Sequence, residues 1–106
     1  MLDREFFLGF IRIHILYHAS IEPIYGVEIA RELARHGYDI SPGTLYPVLH
    51  RLAERGYLES YSRLVDGKIR KYYQATDEGV KALERARKKI IELVGEVIEG
   101  ENCPET

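Results

Sequence analysis

SPGTLYPVLHRLAERGYLESYSRLVDGKIRKYYQA, residues 41–75, is the stretch whose reading decides the fold. Ser41 is a residue type that caps exposed backbone N–H groups. Pro42 follows at the first helical position, where its missing N–H costs nothing. Leu45, Val48, Leu49 and Leu52 recur at helical spacing and define one apolar face. At about 100° per residue, Gly43, Pro47, His50, Arg51 and Glu54 project the other way, with Thr44 and Tyr46 on the flanks. Pro47 removes one backbone bond, to Gly43, close enough to the helix start to be tolerated. Together Gly43 and Pro47 leave a low surface that lets this helix approach a partner closely. Gly56 ends the helix. Two strand-like runs, 57–65 and 69–75, then flank Asp66-Gly67, a strong two-residue hairpin signal. A helix followed at once by a charged hairpin is the core of a winged helix, which points to DNA.

Charge supports the same reading. Residues 41–75 carry six Arg/Lys against three acids, a net of +3, in a chain whose total is −2, so the remainder sums to −5. Basic residues gathered on one segment of an acidic protein form an electrostatic footprint for an anion. A two-residue turn sets Arg63 opposite Arg70, and Tyr61 opposite Tyr72 on the same face. Like charges directly opposite are unfavourable in a sheet unless something negative lies near them. A phosphate backbone would supply it, with Lys68 and Lys71 on the same wing; the plainer reading is that both guanidinium groups splay into water.

The flanking segments complete the pattern. Residues 25–36 read as a helix with Ile29, Ala30 and Leu33 inward, stopped by Gly37, and a short turn leads into Ser41. Two short helices joined by a Gly-containing turn form a helix-turn-helix, whose second helix enters the major groove. A first helix over 3–18, with Asp3 as its cap, is apolar on almost every side. Such a helix needs cover all round, so one side is expected on its own core and the other at a dimer interface. Thr76-Asp77-Glu78 reads as a cap with acids in the first turn of a last helix reaching about residue 98. Val80, Leu83, Arg87, Ile90, Val94 and Val97 follow alternating three- and four-residue steps, widened by Ile91 and Ile98, which makes a seam for another helix.

Tyr25-Gly26-x-Glu28-Ile29, Ser41-x-Gly43-Thr44-Leu45-Tyr46-Pro47-x-Leu49-x-Arg51-Leu52, Gly56-Tyr57-Leu58 and Gly67-x-x-Arg70-Lys71-Tyr72-Tyr73-x-x-Thr76-x-x-Gly79 together resemble the PadR family of transcriptional regulators over about residues 5–100. The resemblance implies a mostly α protein with a small β-hairpin: a winged helix-turn-helix with one C-terminal dimerisation helix. It further implies a homodimer that represses transcription from operator DNA. Release by small apolar or aromatic compounds, commonly phenolic, near the dimer interface is also implied; Phe6, Phe10, Tyr17 and the last helix are the candidates to line such a site. Departures from the family pattern are Ala53, where an acid is frequent, a short wing loop, and the absence of Trp.

Composition excludes other classes. A chain of 106 residues, 30% charged and 45% hydrophobic, describes one ordinary globular domain. MLDREFF lacks the basic start of a signal peptide, and the apolar run 6–17 is interrupted by Arg12 and His14, so no membrane segment is expected. The single Cys103 rules out an internal disulfide and fits the cytoplasm. His14 and His18 lie four apart, but zinc needs at least a third protein ligand and no metal-binding frame is present; no metal and no cofactor is expected. No nucleophile motif or phosphate loop suggests an enzyme.

The expected arrangement is therefore a DNA-binding unit over 1–75, a dimerisation helix over 76–99 and a flexible tail over 100–106. The DNA-facing residues are Tyr25, Ser41, Gly43, Thr44, Tyr46, Pro47, His50, Arg51, Arg63, Lys68, Arg70 and Lys71. The dimer-facing residues are Phe6, Phe7, Phe10, Val80, Leu83, Ile90, Ile91, Val94, Val97 and Ile98. The competing reading is a winged helix that serves protein–protein contact alone.

Overall fold

The apolar faces read from the sequence converge on a single core in the computed structural model, which describes residues 2–100. Helix α1 (Leu2–Ile21) is followed by a two-residue strand β1 (Ile24–Tyr25) and helix α2 (Gly26–Arg35). Helix α3 (Pro42–Glu54) leads into the hairpin β2 (Leu58–Val65) and β3 (Lys68–Ala75). The chain then runs through α4 (Asp77–Leu93) into a π-helical turn, Val94–Ile98. The fold is thus mostly helical with a small antiparallel sheet, as expected, in the strand order β1-β3-β2.

Ile11, Ile15, Leu16 and Ala19 of α1 meet Ile29 and Leu33 of α2, four apolar residues of α3, and Leu58 and Tyr73 of the hairpin. Helix α1 runs past the expected end at residue 18, because nothing opposes helix before Pro23. Asp3 lies in its first turn rather than at the cap, where it still complements the helix dipole. The opposite side of α1, with Phe6, Phe7, Phe10 and Tyr17, stays exposed. Its helix therefore contributes one side to the core and leaves the other bare.

Strand β1 is the element that sequence periodicity missed. Ile24 pairs with Tyr73 and Tyr25 with Tyr72, so Tyr25 is extended rather than helical and α2 starts one residue later. Two residues are too short for alternation to show. At the start of α3, Ser41 does not cap with its side chain: its hydroxyl bonds the Thr44 hydroxyl at 3.3 Å. Instead the Ser41 carbonyl accepts from the N–H groups of Thr44 and Leu45. At the other end Gly56 takes φ of 85°. Its N–H donates to Ala53 and that of Tyr57 to Leu52, which closes the helix in a Schellman turn.

The hairpin turn follows the Asp66-Gly67 signal. Both residues have positive φ, 52° and 80°, which is the requirement of a type I′ turn. The register sets Tyr61 against Tyr72 and Arg63 against Arg70. At the base of the hairpin, Thr76 donates its backbone N–H to the Tyr57 carbonyl at 3.1 Å and its hydroxyl to the Gly56 carbonyl at 2.5 Å. The same hydroxyl accepts from the Gly79 N–H and so caps α4.

Helix α4 packs on α1 and β3. Leu83, expected at a dimer seam, is 3% exposed in the single chain and belongs to its core cluster. Periodicity alone could not separate the inward turn from the outward stripe. The last turn also departs from the α-helix expected to residue 98, since Glu99 donates to Val94 five residues back. Glu101 and the rest of the expected tail lie outside the described residues. Among the described residues no helix is long and apolar enough to cross a membrane.

Gly79 lies against the Tyr57 carbonyl so closely that a Cβ there would collide with backbone. Gly79→Ala is expected to lose about 1–3 kcal/mol in urea denaturation, the usual cost of overpacking. Gly43→Ala, with only the Ser41 hydroxyl at 3.9 Å, should stay within about 0.5 kcal/mol of the parent. Equal stabilities for the two variants would refute this packing.

Candidate nucleic-acid interface

One side of α3 is inward through Leu45, Val48, Leu49 and Leu52, which leaves Gly43, Pro47, His50 and Arg51 exposed along the other. No acid precedes Glu54 on that side. Tyr46, on the flank, lies across the start of α2: a Cβ at Gly26 would come within 2.7 Å of its ring carbon Cζ. Glycine at this position leaves room for the ring, which a side chain there would have to displace. Ser41 and Thr44 bond one another at the start of α3 and line a hollow shared with Asp3, Arg4 and Phe7 of α1.

The sheet carries a row of rings. Tyr25 meets Tyr72 edge-on at 5.5 Å, and Tyr72 stacks on Tyr61 at 5.6 Å, one ring from each strand. Such arrangements suit the ring quadrupoles. The two opposed arginines lie against this row: the Arg70 guanidinium sits 4.1 Å from the Tyr25 ring centre and that of Arg63 5.7 Å from Tyr72. Electron-rich ring faces of the same chain thus lie beside both guanidinium groups and ease their opposition. The pKa of Arg70 is raised, first by its side-chain interaction with Tyr72. Lys71 alternates to the opposite face, beside Tyr73.

Between the hairpin and α2 lies a cleft of about 650 Å³. Its walls bring together Tyr25, Tyr46, Lys68, Arg70 and Lys71, and add Arg31 of α2; Asp66 is the one acid among the residues lining it. Arg31 joins this set only because the wing folds across α2, which no local spacing in the sequence foretells. His50, Arg51, Gly43 and Pro47 are not part of this cleft; they occupy the exposed side of α3. Four cations over a single carboxylate suit a polyanion, and an exposed helix with a low, acid-poor face beside them suits a groove. Deeper in, the Tyr73 hydroxyl is buried with no hydrogen-bond partner among the described residues, and burial raises its pKa.

A second concave region, also about 650 Å³, lies between α1, α2 and α4 and is lined by Phe10, Ile13, Tyr17 and Ile90 with several polar groups. Here His14 and His18 gain what the sequence did not offer, a third imidazole. His36 stacks on His14 at 4.7 Å. Glu32 lies 3.8 Å from His18 and 3.3 Å from His36. The pKa of His14 is lowered, first by burial and then by the neighbouring His36 and His18.

Comparison with known proteins agrees with this geometry. The profile of the transcriptional regulator PadR-like family matches residues 15–85. A transcriptional regulator of Mycobacterium tuberculosis, Rv3488, is 48% identical over 99 residues, spanning 93% of this chain and 92% of that protein. A PadR family transcriptional regulator from Eggerthella lenta is similar in structure, with a TM-score of 0.73 and 34% identity over 92% of this chain and 85% of that one. A PadR-like transcriptional regulator from Bacillus cereus gives 0.74 and 33%, over 88% and 95%.

The ring row predicts a contrast at its centre. Tyr72→Phe keeps both ring contacts and should hold the parent stability within about 0.5 kcal/mol. Tyr72→Ala should lose about 1–3 kcal/mol as both contacts go. Urea denaturation of the two variants checks this, and similar losses from both would place the stabilisation in the hydroxyl instead.

Proposed function

This chain belongs to the PadR-like family of transcriptional regulators, and on that premise we propose that it is a repressor that binds a pseudo-palindromic operator as a homodimer. Family membership carries DNA binding; the arrangement of residues supports the finer reading. The observation that carries it is the exposed, acid-poor side of α3 beside a cleft lined by Arg31, Lys68, Arg70 and Lys71. In this reading Thr44, Tyr46, His50 and Arg51 reach base edges, while Ser41 and the start of α3 hold a phosphate. Arg63, Lys68, Arg70 and Lys71 grip the flanking backbone or minor groove, and Tyr25 steadies Arg70. Two such units set their recognition helices in successive major grooves, roughly 34 Å apart. The protein then works in the cytoplasm, with its operator.

Residues 1–75 form the DNA-binding part and 76–99 the dimerisation helix, with Leu83 assigned to the core rather than the seam. Phe6, Phe7 and Phe10 of α1 and Val80, Ile90, Ile91, Val94, Val97 and Ile98 after the hairpin are exposed in the single chain, Ile91 at 73% and Ile98 at 76%. That much apolar surface asks for cover, and a second copy supplies the same two helices. The concave region with Phe10, Tyr17 and Ile90 is then the place for a small apolar or phenolic effector that releases the DNA.

Selection from a randomised duplex pool is the decisive experiment. An inverted repeat with a steep salt dependence and a large specificity ratio is expected; weak binding without sequence selection would overturn the operator reading and favour a protein partner for the wing. On the selected site, Arg51→Ala should weaken binding and relax sequence preference by about 1–3 kcal/mol at its base pair. Lys71→Ala should weaken operator and random DNA alike and flatten the salt slope. Equal losses on both DNAs for Arg51→Ala would remove it from the base readers. Ile91→Glu combined with Val97→Glu should turn a dimer into a monomer in sedimentation equilibrium, with the operator affinity falling as the second half-site is lost. A parent chain that sediments as a monomer would overturn the seam.

A further inference from the structure

We propose that His14, His18, His36 and Glu32 form a binding site for a divalent transition-metal ion of the zinc type. The two histidines of α1 lie one helical turn apart, and the third comes from the end of α2, so the fold and not the sequence assembles the set. A ligand atom from each of the three imidazoles lies within 4.8 Å of the others. The Glu32 carboxylate, 3.8 Å from His18 Nε2 and 3.3 Å from His36 Nε2, supplies a fourth donor at the same place. A tetrahedral zinc ion with bonds of about 2.0–2.1 Å sets its ligand atoms about 3.3 Å apart, so modest side-chain rotations bring this set to bonding distance.

The donor chemistry selects the ion. Three imidazole nitrogens and one carboxylate suit zinc and its neighbours in the first transition row, whereas calcium and magnesium need oxygen. Glu32 faces two of the three imidazoles as well as Arg35 at 3.1 Å, and the rings of His36 and Tyr38 lie beside His14. His36 is 45% exposed, which leaves a way in from solvent. An ion here ties α1 to the last turn of α2, just before the turn into α3. None of its ligands lies on α3 or the hairpin, so the site stands whether or not the operator reading holds.

The test uses the full chain carrying Cys103→Ser, which removes the one thiol, after dialysis against a chelator. Calorimetric titration with zinc should give one ion per chain. Titration with cobalt(II) should give the strong visible absorption of a tetrahedral complex, saturating at the same ratio. His36→Ala, at an exposed position, and Glu32→Gln should retain the parent circular dichroism. His36→Ala should lose zinc affinity by about 100-fold or more, and Glu32→Gln by about tenfold. No saturable binding, or unchanged affinity and cobalt spectrum in His36→Ala, would overturn the site and leave only a set of ion-paired histidines.

Discussion

The Thr76 hydroxyl holds the fold at its crossing point. By donating to the Gly56 carbonyl and accepting from the Gly79 N–H, it joins the end of α3 to the start of α4. Its backbone N–H, bonded to Tyr57, closes the base of the hairpin in the same place. Three elements that leave one another in different directions are thus fixed within a few ångströms. Gly79 completes the joint, because the Tyr57 carbonyl occupies the space a side chain would need. Everything the hairpin presents, including the arginine pair and the cation-lined cleft, inherits its position relative to α3 from this knot.

The core then sets the other face. Ile11, Ile15, Leu16 and Ala19 anchor α1 across the back of the helix-turn-helix, and Leu83 fastens the first part of α4 to it. Beyond that point α4 has little of its own chain to cover it, and the apolar residues that follow are exposed together with the phenylalanines of α1. Each of the two helices thus buries one side in the core and leaves apolar residues bare on the other.

The sequence was most legible where structure is local. The limits of α3, its inward leucines, the type I′ turn and the cross-strand register all follow from neighbours a few residues apart. The burial of Leu83 within its own chain was not legible, because a heptad-like stripe looks the same whether its partner is α1 or a second chain. Strand β1 was invisible because two residues carry no period, yet it supplies Tyr25 to the ring row. Arg31 and His36 depended on what folds across them, the hairpin in one case and α1 in the other. The site residues split along the same line: those of α3 could be named from the helix wheel, whereas the cleft and the histidine set exist only in three dimensions.

The ring row also has an optical consequence. The chain has eight tyrosines and no tryptophan, so excitation energy is not drained to an indole and ultraviolet emission is tyrosine emission alone. Four of the eight, Tyr25, Tyr46, Tyr61 and Tyr72, belong to the cleft or to the stacked row beside it. The candidate interface is therefore its own chromophore. Occupancy there alters the surroundings of half of the emitting rings, and the protein reports on it without a dye or a label.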